Sequence, residues 1–254
     1  MYEVNKMKKK WLLIPILLLI PVFMLFIDSF RTGIFAMSSF YDSSDQWQYI
    51  CEHQGDYPDS LVDLALQNKE TIPFVYEYPF HKDQKIHINE SLKEIPLFLQ
   101  WDERWGYLYY GNDMMAINGC GPTCLSMVMT FLTKNTQYNP YYISQYSEKN
   151  GYHNEAGTSW SLMKEGARHL GLHVKELSLD ESIIQRELES HHPIICSMGK
   201  GEFTTTGHFI VLTQYENGYV SVHDPNSIER SQKTYVFDDI KYQIKNLWCY
   251  SYEE

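Results

Sequence analysis

Hydrophobic and polar positions divide this chain into three stretches. Residues 11–27, from Trp11 to Ile27, contain no charged or strongly polar side chain. As a helix they would rise about 26 Å, at the short end of what a bilayer core requires. No polar face is available to make the run a surface helix of a globular domain. Pro15 and Pro21 would bend it, which lipid tolerates where neighbouring groups recover the freed backbone bonds. Lys6, Lys8, Lys9 and Lys10 precede the run, and only Arg31 follows it closely. The positive-inside rule then predicts a cytoplasmic basic tail over 1–10, a transmembrane anchor over 11–27 and an extracytoplasmic remainder. The rival is a cleaved signal peptide, for which the apolar core is long and Ile34-Phe35-Ala36 a poor cleavage site. Either way the rest of the chain is exported to the cell surface or beyond.

Residues 28–94 read as a membrane-proximal extracytoplasmic segment. Pro58-Asp59-Ser60 followed by Leu61, Leu64 and Ala65 predicts a short capped helix. Thr71 to Tyr78 alternates weakly and reads as a strand. His53, His81 and His87 stand among polar neighbours and are expected at the surface.

From Ile95 the pattern becomes dense, and a domain is expected over 95–254. Leu125, Val128, Met129 and Leu132 fall at i, i+3, i+4 and i+7, one buried helix face. Pro122 suits the first turn of that helix, and Gly119 and Gly121 would let the backbone turn sharply into it. Ile194 to Met198 reads as a strand. Thr206 to Thr213 is an apolar strand with His208 near its start, and Tyr219 to Pro225 is its return. A three-residue loop with Gly218 left-handed would pair Leu212 with Val222 and Ile210 with Asp224. His208 and Asp224 would then be diagonal neighbours on one face. A two-residue Asn217-Gly218 turn shifts the register by one and sends them to opposite faces. The fold class expected is α+β, a helical part packed on an antiparallel sheet.

Composition narrows the function classes. The 254 residues allow one compact domain beside the anchor and connecting segment. Net charge is −11, with no Lys/Arg stripe to offset the acidic excess, so no nucleic-acid partner is expected. The 20 tyrosines suggest contact surface and half-buried sheet. Cys51, Cys120, Cys124, Cys196 and Cys249 are odd in number, with neither a disulfide framework nor a second ligand pair for a metal. No metal and no organic cofactor is expected.

One cysteine stands out by its setting. Cys120, within Gly119-Cys120-Gly121-Pro122-Thr123, sits at the mouth of the predicted helix, where free N–H groups and the dipole favour a thiolate. Cys124, one turn on, reads as a small core residue. A thiol nucleophile needs a base, and His208 opens the hairpin strand beside Gly207. His223 competes, but it adjoins Asp224 and so points to the other face of the sheet. His191 and His192 precede Pro193 in what reads as a turn before a strand, and His153, His169 and His173 lie in loop or helical stretches with no acidic partner at a useful spacing.

With these residues assembled, the chain resembles the C39-like peptidase family of papain-like cysteine peptidases over roughly residues 95–254. The resemblance rests on Pro96-Leu97-Phe98-Leu99-Gln100-Trp101-Asp102, Gly119-Cys120-Gly121-Pro122-Thr123, Gly207-His208-Phe209-Ile210-Val211-Leu212 and His223-Asp224-Pro225-Asn226-Ser227. It implies a nucleophile at Cys120, a base at His208, an orienting carboxylate at Asp224 and an oxyanion donor at Gln100. The best-known members cut bacteriocin leaders after paired glycines and are fused to an export transporter. This chain has no nucleotide-binding loop and one span at most, so leader cleavage is not carried over. The expected substrate is an extracellular peptide or cell-wall peptide. Two alternatives use the same residues: a catalytically idle peptide-binding module, and an acyl transferase.

Overall fold

The computed structural model describes residues 44–253 apart from 83, 84 and 156. The expected tail and anchor over 1–27 therefore lie outside the described residues. Among the described residues, no helix is long and apolar enough to cross a membrane. The chain divides into two units, Met1–Glu52 and His53–Glu254. The first is described only over 44–52, which is helical.

The second unit is α+β. Its helices include α1 (Asp59–Gln67), α2 (Cys120–Thr133), α3 (Pro140–Lys149) and α4 (Glu181–Glu189). Its main sheet has six strands: β1 (His173–Glu176), β2 (Ile194–Met198), β3 (His208–Glu216), β4 (Tyr219–His223), β5 (Thr234–Val236) and β6 (Ile244–Ser251). They lie in the order β1-β6-β2-β3-β4-β5, and every neighbouring pair is antiparallel.

Each face of the sheet carries its own core, because alternate residues of β2 and β6 point to opposite sides. Ile195, Phe209, Val211, Trp248 and Tyr250 pack with Cys124, Leu125, Val128 and Met129 of α2. Ile194, Cys196, Ile210, Leu212 and Cys249 pack with Ile184 and Leu188 of α4 on the other side. The amphipathic stripe expected for α2 understates its burial. Every residue from Gly121 to Thr130 is buried, while Leu132 is only half-buried. A helix apolar on most sides runs inside a core, and that is where α2 lies.

Two local expectations are corrected. Thr71 to Tyr78 is not a strand: Ile72–Glu77 is a helix with Pro73 in its first turn. A proline cannot donate to a sheet ladder but costs nothing at a helix start. The β3–β4 hairpin does not use a three-residue loop. Glu216 pairs with Tyr219 across Asn217-Gly218, both of which have positive φ (51° and 85°). The register then shifts by one between Leu212 and Gln214, where Thr213 is the extra residue of a bulge, and Leu212 pairs with Val222 after all.

Candidate active site

Cys120 is the first residue of α2, and its side chain is half-buried. The helix starts here because the preceding helix, Met115–Asn118, ends at Gly119 and Pro122 can occupy only a first turn. Neither Gly119 nor Gly121 has positive φ. Close approach, not turning freedom, accounts for them. A Cβ on Gly121 would lie 2.6 Å from the Thr158 side chain, and one on Gly119 2.4 Å from the Met115 carbonyl oxygen.

His208 opens β3 opposite Met198 and is almost wholly buried. Its Nε2 lies 2.7 Å from Asp224 Oδ1. Cys120 lines the same cleft and is among the groups that raise the pKa of the ring, and since Nε2 is taken, Nδ1 is the nitrogen left for the thiol. Burial pulls the imidazole pKa down, but the Asp224 carboxylate and Cys120 outweigh it and raise it to about 10. The ring therefore holds its second proton through the neutral range.

Asp224 is fully buried, immediately after β4. Besides His208 it accepts from the Asn226 N–H (2.8 Å) and from Arg230 Nε (2.5 Å, at Oδ2). Burial pushes its carboxyl up, yet His208 and Arg230 more than reverse this and hold it below the usual carboxylate range.

Gln100 lines the same cleft. Its backbone N–H donates to the Pro225 carbonyl at 2.7 Å, tying it to the Asp224 loop. Its side-chain Nε2 donates to the Ala116 carbonyl at 2.6 Å and, at the longer distance of 3.4 Å, to that of Ile117. Gln100 Oε1 is buried and has no hydrogen-bond partner among the described residues.

The cleft holding these groups measures about 610 Å³ and is walled by Asn68, Thr204, Thr206 and Arg230 as well as Gln100, Cys120 and His208. A second hollow of about 690 Å³ contains His223 but neither Cys120 nor His208. There the His223 ring meets the Pro96 carbonyl at 3.3 Å, and burial depresses its pKa. The competing histidine faces away from the thiol.

Three of the four residues singled out in the sequence thus line one cleft, and the fourth, Asp224, lies buried against His208. Arg230, Asn68 and Glu70 were missed. Arg230 follows Asp224 by six residues, and nothing in that spacing marks an ion pair. Asn68 and Glu70 lie far upstream, 158 residues before Asn226 and Ile228, which they touch. One other group of potential metal ligands exists among the described residues: Glu187, His192 and Cys249. Glu187 already accepts from His192 Nδ1 at 2.9 Å and has Arg186 and Lys175 at 3.4 and 4.0 Å. Its charge is met without an ion.

No curated protein matches the chain. Among solved structures, it is similar to the peptidase domain of Streptococcus ComA, a bifunctional ABC transporter involved in a quorum-sensing pathway. There the identity is 19%, the TM-score 0.42, and the match covers 54% of this chain and 93% of that one. It is also similar to a protein of Bacillus anthracis described as a C39-like peptidase, at 12% identity and a TM-score of 0.43, covering 68% of this chain and 100% of that one. The model of the Peptidase_C39 like family matches residues 92–253, well over half of the chain. The chain belongs to the Peptidase_C39 like family.

Proposed function

We propose that this protein is a cysteine peptidase that hydrolyses a peptide or amide bond through an acyl-enzyme on Cys120. The observation that carries the reading is the placement of His208, which shares one cleft with Cys120 and lies 2.7 Å from buried Asp224. A thiol, a base and an orienting carboxylate in this order are what nucleophilic catalysis requires.

In the resting site the proton is held on His208 Nδ1, facing the sulfur. The Cys120 sulfur adds to the scissile carbonyl, and negative charge develops on its oxygen. The Gln100 side-chain amide, exchanging its long 3.4 Å bond to Ile117 for the substrate oxygen, and the Cys120 N–H at the helix start supply donors for that charge. Collapse breaks the C–N bond while His208 gives its proton to the leaving amine. His208, now neutral, takes a proton from water as the water oxygen attacks the thioester. The acid then departs and the sulfur and imidazolium are restored. Asp224 holds the ring orientation and favours the imidazolium without changing its own protonation.

Anchoring through residues 11–27 with the catalytic part outside the cell belongs to the same proposal, supported by the clustering of lysines before the apolar run. A peptide of the cell surface or wall is the substrate class this location offers. The experiment is mass spectrometry of the protein after mixing with small activated acyl substrates. A transient acyl adduct on Cys120 that disappears in water, and never forms in Cys120→Ala, is expected. A protein that binds such compounds but forms no adduct would overturn the reading.

A further inference from the structure

Asp224 depends on more than the imidazole it faces. After β4 the chain passes through Asp224-Pro225-Asn226-Ser227 into a four-residue helix, Ile228–Ser231. The Asp224 N–H is 2.9 Å from Ser231 Oγ, and Arg230 reaches the carboxylate from the same helix. The place of the carboxylate is thus set by where this helix sits. One turn of helix has no stability of its own, so something must hold it.

The holding groups come from far upstream. Glu70 accepts from the Ser227 hydroxyl, from the Ile228 N–H at 2.8 Å and from the Glu229 N–H at 3.1 Å. Asn68 Nδ2 donates to the Asn226 carbonyl at 2.5 Å, which also accepts from Trp101 Nε1 at 3.2 Å. Both upstream residues are fixed in their turn. The Asn68 side chain accepts from the Glu70 N–H at 3.1 Å, and Thr71 Oγ1 donates to the Asn68 carbonyl at 2.7 Å. These residues lie just after α1, outside the stretch 92–253 that the family accounts for.

We propose that Glu70, assisted by Asn68, is a positioning residue for the Asp224 carboxylate, so that the segment before the family domain completes the active site. The inference rests on the reading of Cys120, His208 and Asp224 as a working set. Every donor that Glu70 binds belongs to the loop that carries Asp224 and Arg230. A carboxylate at this point meets two backbone N–H groups and a hydroxyl that would otherwise be left without a strong acceptor. Removing it frees the Ser227–Ser231 turn, and with it the distance between Asp224 and His208 Nε2. The imidazolium then loses part of the stabilisation that raises its pKa.

The test uses the full chain and needs no natural substrate. The rate of Cys120 alkylation by iodoacetamide is followed against pH, with the modified cysteine identified by mass spectrometry. Wild type is expected to show an alkaline inflection at about 10, where His208 loses its proton. Asp224→Ala should move it down by roughly 1–3 pH units, the usual effect of losing an opposite charge. Glu70→Ala should move it in the same direction and add nothing in the Asp224→Ala background. Glu70→Gln, which keeps the side-chain volume, should shift it with the same sign, and it decides the question should Glu70→Ala fail to fold. A purely structural role for Glu70 would lower stability and leave the inflection in place. That result, with Asp224→Ala still shifted, overturns the inference while the site reading stands. No shift in Asp224→Ala would overturn the site reading itself.

Discussion

His208 Nε2 and Asp224 Oδ1 lie 2.7 Å apart although 16 residues separate them, and the carboxylate is wholly withdrawn from solvent. An ion pair so buried is costly to break, because the remaining partner stays charged without compensation. It also fixes which ring nitrogen is left for Cys120.

The two histidines of the hairpin should separate cleanly. His208→Ala is expected to abolish acylation of Cys120 as fully as Cys120→Ala, since thiol and base act as a unit. His223→Ala should retain acylation, because its ring lies in the other hollow against Pro96. Measured acylation rates of the three variants check this, and an inactive His223→Ala beside an active His208→Ala would reverse the assignment.

Stability should depend on pH through the same pair. The His208 pKa is raised, so its contribution is complete below about 6.5 and is lost as pH climbs towards 10. The Asp224 pKa is lowered, so its contribution is complete above the ordinary carboxylate value of 3.8 and is lost as pH falls through its depressed one. Asp224→Asn should therefore cost most between about pH 4 and 6.5, on the order of 3–5 kcal/mol. Melting curves of both proteins between pH 3 and 11 test this, and a difference independent of pH would contradict it.

Gln100→Ala should lower the rate of Cys120 acylation by about 10²–10³-fold, the usual consequence of losing one oxyanion donor. Binding of an uncharged substrate analogue should change much less. Equal losses in binding and acylation would assign Gln100 to the shape of the cleft instead.

Among the thiols described, Cys124, Cys196 and Cys249 are buried, and burial pushes all three pKa values up, that of Cys249 to about 12. Cys51 is exposed and serves as an internal control. Iodoacetamide at neutral pH should modify Cys120 faster than Cys51, because an imidazolium and a helix start face it. His208→Ala should remove that advantage. Equal rates in wild type would show that the helix start and His208 do not activate the thiol.

Much of the site is legible along the chain because local chemistry marks it. Gly119-Cys120-Gly121-Pro122 announces a thiol at a helix start, and the strand beginning at His208 announces a hairpin. Alternating strands and a buried helix likewise announce an α+β domain. What the sequence leaves open is parity. The Asn217-Gly218 turn by itself places His208 and Asp224 on opposite faces. The extra residue at Thr213 reverses that and puts them together. A bulge leaves no mark in an apolar run, since it answers to the twist of the neighbouring strands. The clamp on Asp224 is less legible still. Asn68 and Glu70 meet the loop only because two distant segments pack side by side, and no local pattern encodes such a meeting. The sequence determined which groups could react. The tertiary structure decided which of them face each other, because face and distance depend on registers and packing that sum over the whole chain.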